Sequence, residues 1–334
     1  MNPIVVHDLV KRFGNTVALD GVSFDVNPAE LFGFIGPDGA GKTTLFRILV
    51  TLILPDAGSA QVLGLDVVRD LWAIRSRVGY MPGRFSLYPD LSVQENLRFF
   101  ASVFGSSVED AADVIAPIYR QIEPFRDRRA AALSGGMKQK LALCCALVHR
   151  PDILLLDEPT TGVDAVSRRE FWDLLAELKA SGLTIVVSTP YMDEASRCDR
   201  VALVQHGKIL EIAAPGVIGS RYPRPLLSVR ATGVATTGIT AAATAAAGEA
   251  HGFRRNALLG ALREFPHAYS AFPFGVDIHY ADARAGLDPA AVARELTGWL
   301  ASRGFGDVHA EPIGAGVEDV FMALMGAPGQ PAAA

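Results

Sequence analysis

Short apolar runs alternate with amphipathic stretches over about the first two thirds of the chain. Leu31–Ile35, Ile153–Leu156 and Thr184–Ser188 are continuous apolar runs, typical of strands that are covered on both faces. Residues 91–150 are mostly helical in pattern, and Lys42–Ile53 has the apolar spacing of a buried helix. Strands that alternate with helices in this way predict an α/β core with a parallel sheet.

The start of the chain has a different pattern. Ile4–Leu9 and Val22–Val26 predict short strands of an antiparallel lobe beside the core. At 334 residues, the chain is long enough for one large α/β domain and a smaller one. We therefore predict a first domain over residues 1–222, with a helical lobe inserted at about 84–150.

The composition changes near Arg230. Residues 231–252 are almost all Ala, Thr and Gly, which predicts a flexible insertion rather than a stable helix. The patterns after it predict strands over 267–280 and Val308–Ile313, and helices over Pro289–Ser302 and Val317–Met325. We interpret residues 223–326 as a small α+β extension and residues 327–334 as a disordered tail.

Composition and charge narrow the classes of function. A formal net charge of −5 gives no reason to expect nucleic acid as a partner. No apolar run approaches the ~20 residues that a membrane-spanning helix needs, and the first residues have no signal-peptide pattern. The three cysteines lack the spacing of a zinc site, which favours reduced, structural cysteines in a cytoplasmic protein.

A glycine-rich loop follows the predicted strand Leu31–Ile35. Its sequence, GPDGAGKTT, matches the pattern GxxxxGK[ST], in which backbone N–H groups and a helix N-terminus bind phosphate. We expect Lys42 to reach the β- and γ-phosphates of ATP and the hydroxyl of Thr43 to bind Mg²⁺. The candidate ATP-binding residues of this loop are Gly36, Pro37, Asp38, Gly39, Ala40, Gly41, Lys42, Thr43 and Thr44.

Two acidic residues, Asp157 and Glu158, follow the run Ile153–Leu156. At the end of a buried strand they would lie close to bound phosphates. Asp157 would then hold Mg²⁺ through its hydration shell, and Glu158 would be the catalytic base that activates the attacking water. An acidic pair after an apolar strand can also cap a helix, so the catalytic interpretation depends on the other motifs.

The run LSGGMKQ at 133–139 predicts a second helix start that binds phosphate. Ser134 can cap the helix, and Gly135 and Gly136 allow close approach of the backbone, while the helix dipole points at an anion. A single nucleotide does not need two such phosphate sites on one chain.

Together the three motifs resemble the ATP-binding cassette (ABC) ATPases, and residues 1–220 resemble the ATP-binding subunits of bacterial ABC-2-type multidrug and antibiotic-resistance exporters. The resemblance implies a P-loop NTPase fold with a RecA-like core, an antiparallel β lobe and a helical lobe. It also implies that the LSGG signature of one cassette closes over the γ-phosphate held by a second cassette, in a homo- or heterodimer. Asp164 matches the family's D-loop aspartate. Phe13 matches the aromatic residue that stacks on adenine, with a core position as the alternative.

The resemblance further implies a membrane partner. Closure of the dimer on ATP and its opening after hydrolysis would drive a separate integral-membrane permease, with the cassette peripheral at the cytoplasmic face of the inner membrane. The loop at 80–93 is rich in aromatic residues and prolines and would receive a short helix of the permease; ordinary packing between lobes is the alternative. The final helix has one apolar face, which we expect to pack on the partner cassette, formed by Val317, Val320, Phe321 and Leu324.

Two positions depart from the family's pattern. Gly83 stands where a glutamine is usual, and Pro190 stands where a histidine is usual; neither residue can bond a γ-phosphate through its side chain. We therefore expect ATP binding with slow hydrolysis, unless the partner, Tyr80 or Arg84 supplies the missing contacts. A purely structural alternative is that Pro190 occupies the first position of a helix that Thr189 caps.

Two other functions stay open. A binding-only or slow regulatory cassette, paired with a competent ATPase, is favoured by Gly83 and Pro190 and disfavoured by the intact Glu158. A soluble, non-transport ABC ATPase acting on ribosomes or DNA is disfavoured by the single cassette and the negative charge.

Overall fold

The computed structural model describes residues 1–83, 87–231, 255–305 and 307–325. The chain forms two compact units, Met1–Pro215 and Gly216–Ala334, whereas the sequence predicts a boundary after residue 222. Arg84, the tail at 327–334 and all but the first residue of the predicted insertion lie outside the described residues.

A six-stranded sheet forms the centre of the first unit. Its strands are β3 (Leu31–Ile35), β6 (Val78–Met81), β7 (Ile153–Asp157), β8 (Thr184–Thr189), β9 (Arg200–Gln205) and β10 (Lys208–Ala213). The order is β10-β9-β3-β8-β7-β6, and every pair is parallel except β9 with β10. β3, β7 and β8 are buried at every position, as their apolar runs require. The carboxyl ends of these parallel strands meet at one edge, where open α/β sheets bind ligands.

An antiparallel sheet accompanies this core. It contains β1 (Ile4–Phe13), β2 (Thr16–Val26), β4 (Ala57–Val62) and β5 (Leu65–Asp66), in the order β2-β1-β4-β5. β1 and β2 are longer than predicted because polar, solvent-facing residues continue both strands beyond their apolar runs. β4 and β5 have weakly apolar sequences and are not predicted from the pattern.

The described part of the first unit contains six α-helices: α1 (Lys42–Leu49), α2 (Leu71–Arg75), α3 (Val93–Val103), α4 (Ala112–Tyr119), α5 (Gly135–Leu147) and α6 (Ala165–Ala180). The predicted continuation of α1 to Ile53 is wrong. Thr51 adopts a left-handed backbone conformation with a φ of 61°, which ends the helix. Arg75 donates hydrogen bonds to the hydroxyl and to the carbonyl of Thr51, both at 2.7 Å, and holds the chain in this turn.

The second unit contains a four-stranded antiparallel sheet. After the short helix α7 (Pro215–Ser220) come β11 (Leu226–Ala231), α8 (seen over 255–264), β12 (Ala268–Phe274), β13 (Asp277–Asp282), α9 (Pro289–Ser302), β14 (Val308–Pro312) and α10 (Val317–Leu324). The strand order is β12-β13-β11-β14, with antiparallel pairs throughout. Among the described elements, a β-α-β-β-α-β succession with this order is the ferredoxin-like arrangement.

The core of the second unit lies between one sheet face and two helices. Leu258 of α8 and Leu296 of α9 pack with Leu227 and Tyr280 of the sheet. Only part of the apolar face predicted for the last helix is buried, because Val317, Val320 and Phe321 are buried whereas Leu324 is 48% exposed.

None of the helices in the described ranges combines the length and the hydropathy that a bilayer span requires.

Candidate functional site

The glycine-rich loop connects β3 to α1 at the carboxyl edge of the parallel sheet. Gly41 takes the N-cap position of α1 with a φ of 103°, and a Cβ atom there would lie 2.4 Å from the carbonyl oxygen of Ala18. A Cβ atom on Gly36 would lie 2.1 Å from the carbonyl oxygen of Val204. Both positions therefore require glycine. No side chain caps α1, so its first N–H groups can bind an anion.

Lys42 is the first residue of α1, directly after this loop, and its side chain turns back to the loop. Its side chain is only 3% exposed, and its Nζ donates hydrogen bonds to the carbonyls of Gly36 at 2.8 Å and Pro37 at 3.0 Å. The same Nζ is 3.5 Å from Oε1 of Glu158. The ammonium group is thus fixed between the loop and the acidic end of β7, where it can face phosphate oxygens.

Asp157 is joined to the loop through hydroxyl groups. Its carboxylate is buried, and its Oδ1 accepts hydrogen bonds from Oγ1 of Thr43 at 3.1 Å and from Oγ of Ser188 at 2.6 Å. A carboxylate and a hydroxyl this close together form an oxygen donor set suited to Mg²⁺, which otherwise takes ligands from water and phosphate. Among the described residues there is no cluster of three or more His, Cys, Asp or Glu that could hold a metal without such help.

Glu158 adopts a backbone conformation that is uncommon for a residue with a side chain. Its φ is 52°, and its N–H donates to both the carbonyl and the hydroxyl oxygen of Ser188, each at 3.0 Å. Its side chain remains 23% exposed beside Lys42. Strained backbone of this kind persists where the surrounding structure holds it, and it is frequent at active sites.

Sequence reasoning does not identify Ser188 as part of the site. The signal is present, because Ser188 lies at the carboxyl end of a predicted parallel strand and is paired with Asp157 on the neighbouring one. Strand neighbours and their register would have been needed to use that signal.

The signature residues form a second cluster around α5 and α6. Ser134 is the N-cap of α5, where its hydroxyl accepts a hydrogen bond from the N–H of Met137 at 3.3 Å. A Cβ atom on Gly136 would lie 2.7 Å from Oγ of Ser167 in α6, so only glycine fits between these helices. Asp164 is the N-cap of α6, and the backbone N–H of Ser167 lowers the pKa of its carboxyl.

Phe13 lies at the end of β1 and is 51% exposed. Its ring has the ammonium of Lys11 5.4 Å from its centre. The alternative prediction of a core position for Phe13 is therefore wrong, since about half of the residue faces solvent.

The sixteen predicted site residues thus divide into groups. One group surrounds the loop and the acidic strand end: Gly36, Pro37, Asp38, Gly39, Ala40, Gly41, Lys42, Thr43, Thr44, Asp157 and Glu158. A second surrounds the facing starts of α5 and α6: Ser134, Gly135, Gly136 and Asp164. Phe13 lies on the antiparallel lobe.

Gly83 is a direct neighbour of the acidic pair. A Cβ atom at this position would lie 3.0 Å from the carbonyl oxygen of Asp157 and 3.7 Å from Cβ of Glu158. A side chain at residue 83 would therefore start at the acids and would need a small shift of the strand end.

The prediction that Pro190 is the first residue of a helix capped by Thr189 is wrong. The helix after β8 is a 3₁₀ helix over Met192–Arg197, with Tyr191 as its N-cap and no side-chain cap. Thr189 is the last residue of β8, and its hydroxyl accepts a hydrogen bond from the N–H of Tyr191 at 3.0 Å. Pro190 hence lies in a short link between strand and helix.

An apolar groove of about 560 Å³ opens between α2, β6 and the helices α3 and α5. Its lining includes Leu52, Trp72, Tyr80 and Phe104. Trp72 is 74% exposed and Leu52 is 56% exposed, which is unusual for large apolar side chains and typical of a docking surface. Tyr80 is the first residue of the predicted docking loop, but the structure places it in strand β6, and burial raises its pKa to about 12.

Comparisons with known proteins agree with this geometry. A sequence model of the family described as ABC transporter matches residues 19–161. The chain is 43% identical over 217 residues to a probable multidrug ABC transporter ATP-binding protein, YbhF, of Escherichia coli (strain K12); the match covers 64% of this chain and 37% of that relative. It is 41% identical over 216 residues to the Nod factor export ATP-binding protein I of Burkholderia orbicola (strain AU 1054), covering 64% of this chain and 71% of that one.

Solved structures show the same fold. One, described as an ATP-binding subunit of an ABC transporter, is 28% identical with a TM-score of 0.60. The match covers 66% of this chain and 92% of the solved chain. Another is an ATP-binding cassette in a dimeric, post-hydrolysis state bound to ADP and Pi, 25% identical with a TM-score of 0.58; it covers 63% of this chain and 98% of its own. The chain therefore belongs to the ATP-binding subunits of ABC transporters.

Proposed function

We propose that this chain is the ATP-hydrolysing subunit of an exporter, which dimerises around ATP and drives a separate membrane permease for multidrug or antibiotic efflux. The observation that carries the proposal is the position of Lys42, fixed between two loop carbonyls and Glu158, with Thr43 bonded to Asp157 alongside. ABC ATPases in general bind and hydrolyse ATP, and both named relatives are ATP-binding proteins of transport systems.

In this proposal the loop and β7 bind Mg²⁺-ATP. Lys42 faces the β- and γ-phosphates, the first N–H groups of α1 bind phosphate oxygens, and Thr43 and Asp157 hold Mg²⁺, directly or through water. The exposed ring of Phe13 stacks on adenine. Lys42, Thr43 and Asp157 are already held by hydrogen bonds within the chain, so little ordering of these side chains is required when the nucleotide binds.

Glu158 acts as the base that orients and activates the attacking water. Nζ of Lys42 lies 3.5 Å from the carboxylate of Glu158, so the proposed base is next to the side chain that faces the phosphates. Gly83 and Pro190 add no side-chain hydrogen bond at this point. We infer that hydrolysis in the isolated chain is slow for a cassette ATPase.

The signature cluster serves the other chain of a dimer. Ser134, Gly135 and the first N–H groups of α5 close over the γ-phosphate held by a second cassette, and Asp164 lies at the same interface. The dimeric cassette among the similar structures supports this arrangement. Both homodimers and heterodimers satisfy it.

The groove between α2 and α5 receives an amphipathic helix of the permease. A concave apolar surface with an exposed tryptophan suits a helix that inserts one apolar face. This contact would hold the cassette at the cytoplasmic face of the inner membrane.

The docking proposal is tested by purifying the full chain from membranes with the replacement Trp72→Glu, beside Val276→Glu as a control. Val276 is 70% exposed, belongs to the second unit and is not among the residues that line the groove. We expect a membrane protein to accompany the natural chain and the control and to be lost with Trp72→Glu, while thermal melting reports intact folding. Recovery of all three forms with ribosomes, or without any membrane protein, would contradict the proposal and favour a non-transport ATPase.

The second candidate function is a binding-only or slow regulatory cassette, and Gly83 and Pro190 favour it. Single-turnover hydrolysis of bound ATP distinguishes the two. ATP that remains intact over many minutes in the dimer would assign the chain to the regulatory class.

A further inference from the structure

A buried carboxylate near the site is not used in the mechanism above. Glu194 is 3% exposed and belongs to the 3₁₀ helix Met192–Arg197. Its Oε1 accepts a hydrogen bond from Oγ1 of Thr160 at 2.8 Å, and its Oε2 accepts one from Oγ1 of Thr189 at 2.5 Å. We call these three residues the Glu194 bridge. A buried carboxylate with a short hydrogen bond to each oxygen is a fixed point of the structure.

The charge of Glu194 has a cation nearby. Nε of Arg168 in α6 is 3.8 Å from Oε1 of Glu194, and the guanidinium lies 4.4 Å from the ring centre of Tyr191. This ion pair is longer than either hydroxyl bond, so the threonines rather than the arginine define the direction of the carboxylate.

The two threonines belong to segments that matter for the site. Thr160 is buried and lies two residues after Glu158. Thr189 accepts, through its carbonyl oxygen, a hydrogen bond of 3.3 Å from the N–H of Gly36, the first residue of the phosphate loop. The Glu194 bridge therefore connects the segment that follows the catalytic base to the segment that supports the phosphate loop.

Glu158 depends on support from both sides because of its backbone conformation. Its φ of 52° is one that non-glycine residues keep only when the surroundings hold it. On the N-terminal side, its N–H is bonded to Ser188. On the C-terminal side, the nearest buried side chain with a fixed hydrogen bond is Thr160, in the Glu194 bridge.

We propose that Glu194 is a positioning residue for ATP hydrolysis, which keeps Glu158 aligned with the phosphate loop through Thr160 and Thr189. This inference rests on the proposed function of Glu158 as the base. With glycine at 83 and proline at 190, no side chain at those positions can orient the base or its water, so orientation falls to the backbone that the bridge fixes.

The test compares Thr160→Val with Thr160→Ser in the full chain. Valine removes the hydroxyl at nearly constant volume, whereas serine retains it. We expect Thr160→Val to lower the single-turnover rate about tenfold to a hundredfold, as small misplacements of catalytic groups do, while ATP affinity stays within about twofold. Thr160→Ser should recover most of the rate, and Glu194→Gln should fall between the two.

A second comparison separates positioning from general stability. In a Glu158→Gln background, Thr160→Val should cause no further loss of rate, because the bridge acts through Glu158. Equal further loss in that background, or a natural rate in Thr160→Val, overturns the proposal. A natural rate in Glu158→Gln alone refutes the role of the base instead, so the two failures are distinguishable.

Discussion

The two sides of the candidate site differ in how completely they are built. On the phosphate-loop side, Lys42 donates hydrogen bonds to two loop carbonyls and Thr43 donates one to Asp157, all at 3.1 Å or less and without a bound nucleotide. On the side where the γ-phosphate would be sensed, Gly83 and Pro190 offer no side-chain donor. If the proposed roles hold, nucleotide binding depends on the first side and turnover on the second, so different substitutions should change the two separately.

The largest effect is expected on ATP turnover, from a substitution of the proposed base Glu158. Glu158→Gln should lower ATP turnover by about a hundredfold or more, because it removes the proton acceptor without changing the shape of the side chain. ATP affinity should stay nearly unchanged, since the loop is untouched. Phosphate release under single-turnover conditions measures the turnover rate, and equilibrium nucleotide binding measures the ATP affinity. An equal loss of both would contradict the separation of binding from turnover.

Lys42→Ala should have the next largest effect, on binding. Loss of a charged hydrogen-bond donor to phosphate is expected to weaken ATP affinity by about 10- to 100-fold. The matched control is Lys208→Ala, whose ammonium lies on the surface 3.2 Å from Asp20. Titration with a fluorescent ATP analogue measures the affinity of both variants. Equal affinity in the two would show that Lys42 does not contribute to ATP binding.

Pro190→His should raise turnover by about tenfold, because an imidazole at the end of β8 could orient the attacking water. Glu158→Gln in the same chain should cancel the gain. Slow hydrolysis is refuted if the natural chain is fast, Glu158→Gln abolishes that rate, and Pro190→His leaves it unaltered.

The smallest effect concerns the charge at the N-terminus of α6. The backbone N–H of Ser167 lowers the pKa of Asp164, so the ionised form stabilises the fold above about pH 4 and this contribution disappears as the pH falls through the lowered value. Asparagine can still cap but cannot ionise. The urea midpoints of the natural chain and Asp164→Asn should therefore differ at pH 7 and converge as the pH falls through the lowered pKa of Asp164.

Val166→Ala is the control for this pH comparison, since Val166 is 69% exposed and does not titrate. Its midpoint difference from the natural chain should not depend on pH. A pH-independent difference for Asp164→Asn as well would mean that the charge contributes nothing to the cap.

The apolar runs predict the centre of the fold closely. β3 has the predicted bounds, and β7 and β8 each extend one residue further, because strands buried on both faces must be apolar throughout. The end of α1 could not be predicted in this way. It depends on Thr51, whose left-handed conformation is held by Arg75 from a distant helix.

The candidate site shows the same difference between features set by local sequence and features set by distant contacts. Motif spacing places Lys42 and Thr43 at the start of α1 and Asp157 at the end of β7, because each motif is local in sequence. Ser188 and Glu194 escape such reasoning, since their contacts join strands and helices about thirty residues apart. The strand order of the second unit is beyond a local pattern for the same reason, as β11 pairs with both β13 and β14.

Gly136 leaves no space for a side chain between the starts of α5 and α6, so the signature and the Asp164 turn form one closely packed cluster. In the proposed dimer, each chain would place this cluster against the ATP that its partner binds. A chain damaged at Gly136 and a chain damaged at Lys42 should therefore complement one another: a mixed pair keeps one site with both halves intact, whereas either chain paired with itself keeps none.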